Sequence, residues 1–127
     1  MAKPTVLIVD DASTVRMLVS YALSDKGYQV LQAGDGKEGL ALLERTPVDL
    51  IISDLNMPEM DGLEMVRQVR KLPQFRTTPI VLLTTESSQD RRNLGKEAGA
   101  NAWMVKPFKP EQLVAVMQKL IPQAVAR

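Results

Sequence analysis

The chain has 127 residues, 45% of them hydrophobic, with sixteen basic against fifteen acidic side chains and neither histidine nor cysteine. That length suits one domain with a core of its own, and the near-neutral charge gives no global field to draw it to nucleic acid or to a membrane surface. Disulfides, thiolate nucleophiles, imidazole bases and metal sites built on nitrogen or sulfur are excluded, so any metal must be held by oxygen.

Met1-Ala2-Lys3-Pro4 leads straight into the aliphatic run Val6-Leu7-Ile8-Val9 with no signal-peptide pattern, and no apolar run nears the roughly 18 residues of a membrane span. A cytoplasmic location is expected. Asp10-Asp11 ends the run, and Val15, Leu18, Val19 and Ala22 then recur at helical spacing. After Gly27, Tyr28 to Ala33 reads as a weaker strand whose two glutamines suit a sheet edge. Leu40 and Leu43 mark a second helix, and beyond Pro47 the run Leu50-Ile51-Ile52-Ser53 stops at Asp54. Asp61-Gly62 looks like a helix start, with Leu63, Val66 and Val69 as its apolar stripe. Past Pro73 and Pro79, the run Ile80-Val81-Leu82-Leu83 stops at Thr84. Ser87 to Ala98 is the least amphipathic helix, with Leu94 and Ala98 as its core residues, and should be the most loosely held. Trp103-Met104-Val105 then stops at Lys106, and Pro110-Glu111 opens a last helix carrying Leu113, Val116, Met117 and Leu120.

Strand and helix alternate throughout, and the strands are too apolar to have a wet face and too short for helices. Five strands and five helices joined by right-handed crossovers give a doubly wound α/β fold, a parallel sheet covered on both faces. One domain is expected over residues 1–127, with its core at about 5–121. In strand order 2-1-3-4-5 the switch point falls between the first and third strands, so Asp10, Asp11 and Asp54 would face one another across one crevice. Two carboxylates ~4 Å apart cost on the order of 4 kcal/mol at an effective dielectric of 20, which a proton or a cation must relieve. Oxygen-only ligands suit Mg²⁺, with Mn²⁺ as a substitute, and Mg²⁺ held this way usually partners a phosphate. Asp54 is the candidate nucleophile toward phosphorus, Lys106 supplies a fixed positive charge and the Thr84 hydroxyl a donor. Taken alone, Asp10-Asp11 is a good helix cap and Thr84 or Lys106-Pro107 means little; their convergence carries the argument.

These residues resemble a known family. Val9-Asp10-Asp11, Ser53-Asp54-Leu55-Asn56-Met57-Pro58, Met60-Asp61-Gly62, Thr84, Gly99-Ala100 and Lys106-Pro107-Phe108 are similar, in order and spacing, to the receiver domains of two-component response regulators, in pattern nearest the chemotaxis regulators. The resemblance runs from about Val6 to Leu120. It implies a flavodoxin-like fold of CheY type, and a phosphoacceptor rather than an enzyme with a separate substrate, self-phosphorylating from small donors and dephosphorylating itself. Asp54 would accept the phosphoryl group from a histidine kinase; Asp11, Asp54 and the Asn56 carbonyl would hold Mg²⁺, with Asp10 helping through water; Thr84 and Lys106 would contact the phosphoryl group. It further implies a cis bond at Lys106-Pro107, a switch in which the Thr84 hydroxyl and the aromatic Trp103 move together, and tuning of the phosphorylated lifetime by Asn56 and Glu86, a pair that resembles short-lived chemotaxis regulators. A bulky indole at 103 reads equally as a static cap on the sheet edge. The expected output is phosphorylation-dependent binding of a protein to the fourth helix, fifth strand and fifth helix, with Arg91, Arg92, Lys96, Trp103, Gln112 and Lys119 as ingredients, by a monomer with no further module after the last helix. A phosphorelay intermediate or phosphate sink stays open, as does a phosphorylation-independent docking module. A haloacid-dehalogenase-type phosphatase needs an acid where Asn56 stands, and a flavodoxin needs an anion nest that Asp10-Asp11 would repel.

Overall fold

The computed structural model of the chain describes residues 3–85 and 89–121. Five strands, β1 (Thr5–Val9), β2 (Gln29–Ala33), β3 (Leu50–Asp54), β4 (Ile80–Thr84) and β5 (Ala102–Val105), alternate with α1 (Ser13–Asp25), α2 (Gly36–Arg45), α3 (Gly62–Lys71), α4 (Gln89–Ala98) and α5 (Pro110–Leu120). A single 3₁₀ turn, Pro73–Phe75, follows α3, where the proline cannot continue the helix. All strand pairs are parallel in the order β2-β1-β3-β4-β5, the doubly wound flavodoxin-like arrangement expected from the alternation.

The register explains the continuous aliphatic runs. Alternate side chains leave the sheet on opposite faces, and both faces of β1, β3 and β4 are covered. Leu7, Val9, Ile51 and Leu82 pack with Leu43 of α2 and Leu63, Val66 and Val69 of α3. Val6, Ile8, Ile52, Val81 and Leu83 pack with Val19 and Leu23 of α1 and Leu113 and Met117 of α5. Each fully buried aliphatic side chain contributes about 1.5–3 kcal/mol, and together they fix which strand ends are neighbours.

Helix starts follow local chemistry. Asp35 Oδ1 accepts the Glu38 N–H at 2.8 Å and Asp61 Oδ1 the Glu64 N–H at 2.9 Å, while Gln112 Oε1 accepts the Lys109 N–H at 3.0 Å ahead of α5. Each satisfies an orphan amide at a helix start.

Three expectations need correction. Leu94 is 39% exposed and Leu18 52% exposed, so neither belongs to the core. In α4 the buried position is Gly95, where the helix sits so close to β4 and β5 that an added Cβ would press on Leu82 and Trp103. In α1 the buried positions are Val19 and Leu23, and Leu18 lies with Met17 and Tyr21 on the solvent side. Finally, β5 is half-buried along its whole length rather than dry, since as an edge strand it has a neighbour on one side only.

Candidate functional site

Four side chains meet at the carboxyl edge of the central strands. Asp10, directly after β1, is wholly buried; Asp54, the last residue of β3, is 5% exposed; Asp11 is exposed. Carboxylate oxygens of all three lie within 4.8 Å of one another. Lys106, directly after β5, sends its Nζ between two of them, 3.0 Å from Asp10 Oδ2 and 3.2 Å from Asp54 Oδ1. Thr84 ends β4 and is buried, with the Asn56 amide donating to its hydroxyl at 3.5 Å. The Lys106-Pro107 peptide bond is cis.

The loop after Asp54 is closed by a contact a side chain would block. A Cβ on Gly62 would stand 2.5 Å from the Asp54 carbonyl oxygen and 2.8 Å from Leu55 Cα, and the Gly62 N–H donates to the Leu55 carbonyl at 2.8 Å. Within the loop Glu59 takes φ +68°, and the Met60 N–H bonds back to the Pro58 carbonyl at 2.7 Å, a tight γ-turn. The loop holds Asn56, exposed, beside Asp54.

Electrostatics follow from this crowding. Burial pushes the Asp54 carboxyl above its ordinary value, the Asp10 charge pushes the same way, and Lys106 with the Asn56 N–H offsets only part of it. Burial pulls the Lys106 ammonium down, but the Asp10 hydrogen bond and charge, then those of Asp54, outweigh it and leave the group raised. The site is therefore an oxygen-rich pocket with one cation for three acids, a donor set that fits a hard divalent ion.

The response regulator receiver domain model matches residues 6–118. The chain belongs to the response regulator receiver family. This receiver is 38% identical over 117 residues to a probable chemotaxis protein CheY of Rhizobium etli, covering 91% of each chain. Among solved structures it is similar to the chemotaxis protein CheY4 of Vibrio cholerae, at 47% identity and a TM-score of 0.91, over 94% of this chain and 99% of that one. It is also similar to the receiver domain of the sensor histidine kinase PA1611 of Pseudomonas aeruginosa, at 30% identity and a TM-score of 0.87, over 95% and 99% of the two chains, a structure with a magnesium ion coordinated in its active-site cleft. Other relatives are transcriptional regulators, of whose length the receiver spans about half, 48% and 49% in two cases. Among the described residues no helix is long and apolar enough to cross a membrane.

The remaining sequence candidates fall as follows. Trp103 of β5 is half-buried, its indole against Gly95 of α4 and its Nε1 buried with no hydrogen-bond partner among the described residues. Glu86 lies outside the described residues. Arg92, Asn93, Lys96 and Trp103 line a cleft of about 450 Å³ between α4 and β5, while Gln112 and Lys119 are exposed on α5. Two arginines escaped sequence reasoning because on a helical wheel they look like solvated surface. Arg16 of α1 donates to the Asp10 carbonyl, and Arg70 of α3 donates to the Gly99, Phe75 and Thr78 carbonyls and to Asn101 Oδ1.

Proposed function

We propose that this receiver accepts a phosphoryl group on Asp54 from a histidine kinase, with Mg²⁺ held at the acidic cluster, and acts as a response regulator by phosphorylation-dependent binding of a protein partner, in chemotaxis. The observation that carries the reading is the buried Asp54 carboxylate at a central strand end, with two further carboxylates within 4.8 Å and Lys106 Nζ at 3.2 Å. The extended match to CheY proteins supports the chemotaxis assignment, and the magnesium in the related PA1611 receiver supports the choice of ion.

In the transfer, a carboxylate oxygen of Asp54 attacks the phosphorus of a phosphohistidine in line with the departing nitrogen. The O–P bond forms as the P–N bond breaks, and the imidazole leaves with a proton. Poor hydration of the Asp54 carboxylate, the same cause that raises its proton affinity, makes its oxygen more available. The Lys106 ammonium compensates charge on a phosphoryl oxygen, and the Thr84 hydroxyl and Asn56 amide stand at the same edge as neutral donors. Asp10, Asp11, Asp54 and the Asn56 carbonyl would hold Mg²⁺, which when bound neutralises the phosphoryl oxygens. The partner surface follows the α4–β5 cleft and α5.

Intact mass after incubation with acetyl phosphate and Mg²⁺ tests the reading. A one-phosphoryl adduct is expected on the wild-type chain and not on Asp54→Asn. Absence of any adduct, with no beryllofluoride complex either, would favour a docking module independent of phosphorylation.

A further inference from the structure

The corner between β1 and α1 is tied at several points. The Asp10 N–H donates to the Ala33 carbonyl at 3.1 Å. Asp10 Oδ1 accepts the Ala12 N–H at 2.9 Å, and Asp10 Oδ2 accepts from Lys106 at 3.0 Å. These bonds fix the end of the strand and the Asp10 side chain. The Asp10 carbonyl is held separately, by the guanidinium of Arg16 one turn into α1. That carbonyl belongs to the peptide joining Asp10 to Asp11. The Asp11 carboxylate has no hydrogen-bond or ion-pair partner among the described residues. Its reach toward the cluster therefore starts from its own backbone, and Arg16 holds the carbonyl of the peptide that leads into it.

The guanidinium is itself well placed. Arg16 is half-buried and lies beside Gly34, where an added Cβ would be 3.6 Å from Nη1, an ordinary contact. A guanidinium on a carbonyl is a charge-assisted hydrogen bond, stronger than a neutral pair. Arg16 also places a positive charge behind a cluster of three carboxylates. That charge alone would weaken binding of a cation, whereas holding Asp11 in place would strengthen it, so the two effects differ in sign.

We propose that Arg16 is a positioning residue, which locks the Asp10–Asp11 peptide so that the Asp11 carboxylate already converges on Asp10 and Asp54 when a divalent cation arrives. The proposal rests on reading the cluster as a Mg²⁺ site. Outer partners of metal ligands are typically worth about 10–100-fold in metal affinity.

The experiment is calorimetric titration of the chain with MgCl₂, without any phosphoryl donor, on wild type, Arg16→Met, Arg16→Lys, Asp11→Asn and the Arg16→Met/Asp11→Asn double variant. Arg16→Met should bind Mg²⁺ about tenfold more weakly than wild type, and Arg16→Lys, which keeps a donor of similar reach, should recover most of the loss. In the Asp11→Asn background Arg16→Met should not weaken binding further, because the ligand it orients is gone and only the lost positive charge, which acts in the opposite direction, remains; a general structural role would still weaken it there. Should Arg16→Met unfold, Arg16→Gln, which is neutral and shorter, takes its place, with the same roughly tenfold loss expected. Unchanged or tighter binding in Arg16→Met, or in Arg16→Gln when Arg16→Met is unfolded, overturns the proposal alone. A wild-type chain that takes up no Mg²⁺ at millimolar concentration overturns it together with the reading beneath it.

Discussion

Asp54 is held where its charge is least welcome. Burial, then the neighbouring Asp10, raise its proton affinity, and Lys106 offsets only part of this. The folded chain thus binds a proton at Asp54 more tightly than the unfolded chain does. On this account stability is highest below the unfolded carboxylate range, about pH 3.9, and falls as pH rises through the folded value. Asp54→Asn should therefore raise the thermal midpoint at pH 7 without added cation, each kcal/mol of relief amounting to about 3–5 °C at this chain length. The gain should fade as the pH is lowered toward ~4. Calorimetric scans across that range check this, and a midpoint at pH 7 equal to or below that of the wild type would mean the Lys106 ion pair outweighs burial. Asp10, by contrast, keeps both its Ala12 and Lys106 partners in the variant. The carboxylates, the lysine and the threonine were legible in the sequence because each directly follows an aliphatic run. Arg16 was not, because its role depends on a carbonyl six residues back in the chain, which composition and periodicity do not mark.

At the level of elements, α4 shows where periodicity fails. Its one buried position is a glycine, so the helix has almost no apolar stripe to read, and Leu94 beside it looked like the anchor. The structure gives the reason: a Cβ at position 95 would lie 3.0 Å from Leu82 Cδ1 and 3.3 Å from Trp103 Cζ3. Gly95 is the notch that admits the indole. Replacing a helix-interior glycine by alanine ordinarily gains about 1 kcal/mol of helix propensity, but here the rigid ring must move to make room. Gly95→Ala should leave urea-unfolding stability within about 1 kcal/mol of wild type while shifting the emission of the single tryptophan. A second change, Trp103→Tyr, should restore a variant with more than additive stability, since the smaller ring no longer meets the new methyl. An emission spectrum unaltered in Gly95→Ala would show that ring and helix do not press on each other. The same packing bears on the switch reading of Trp103, because its indole lies against α4 at Gly95. The other helices were readable because α3 and α5 bury three or more aliphatic side chains each, at the spacing their sequences display.

For the whole molecule, topology was the most legible feature, since short dry strands alternating with helices leave few ways to cover both faces of one sheet. The edges were less so: β5 looks as apolar as β3 in sequence, yet it is half-buried because nothing pairs with its outer side. The acidic cluster links this topology to stability. Asp10, Asp11 and Asp54 come from two strands far apart in sequence, so an unfolded chain does not assemble them, and a cation they bind together stabilises only the folded state. At a tenfold excess over its dissociation constant such an ion adds about 1.4 kcal/mol, or ~4–7 °C in the midpoint. MgCl₂ should therefore raise the midpoint with the logarithm of its concentration, whereas NaCl at equal ionic strength should not. Mg²⁺ also relieves the repulsion that depresses stability at pH 7, so its effect should be smaller in Asp54→Asn, which has lost one carboxylate, and should weaken toward pH 4, as a proton competes for the Asp54 carboxylate whose proton affinity burial raises. Equal stabilisation by Mg²⁺ at both pH values, or in a variant lacking both Asp11 and Asp54, would place the ion on the general surface and not at the strand ends.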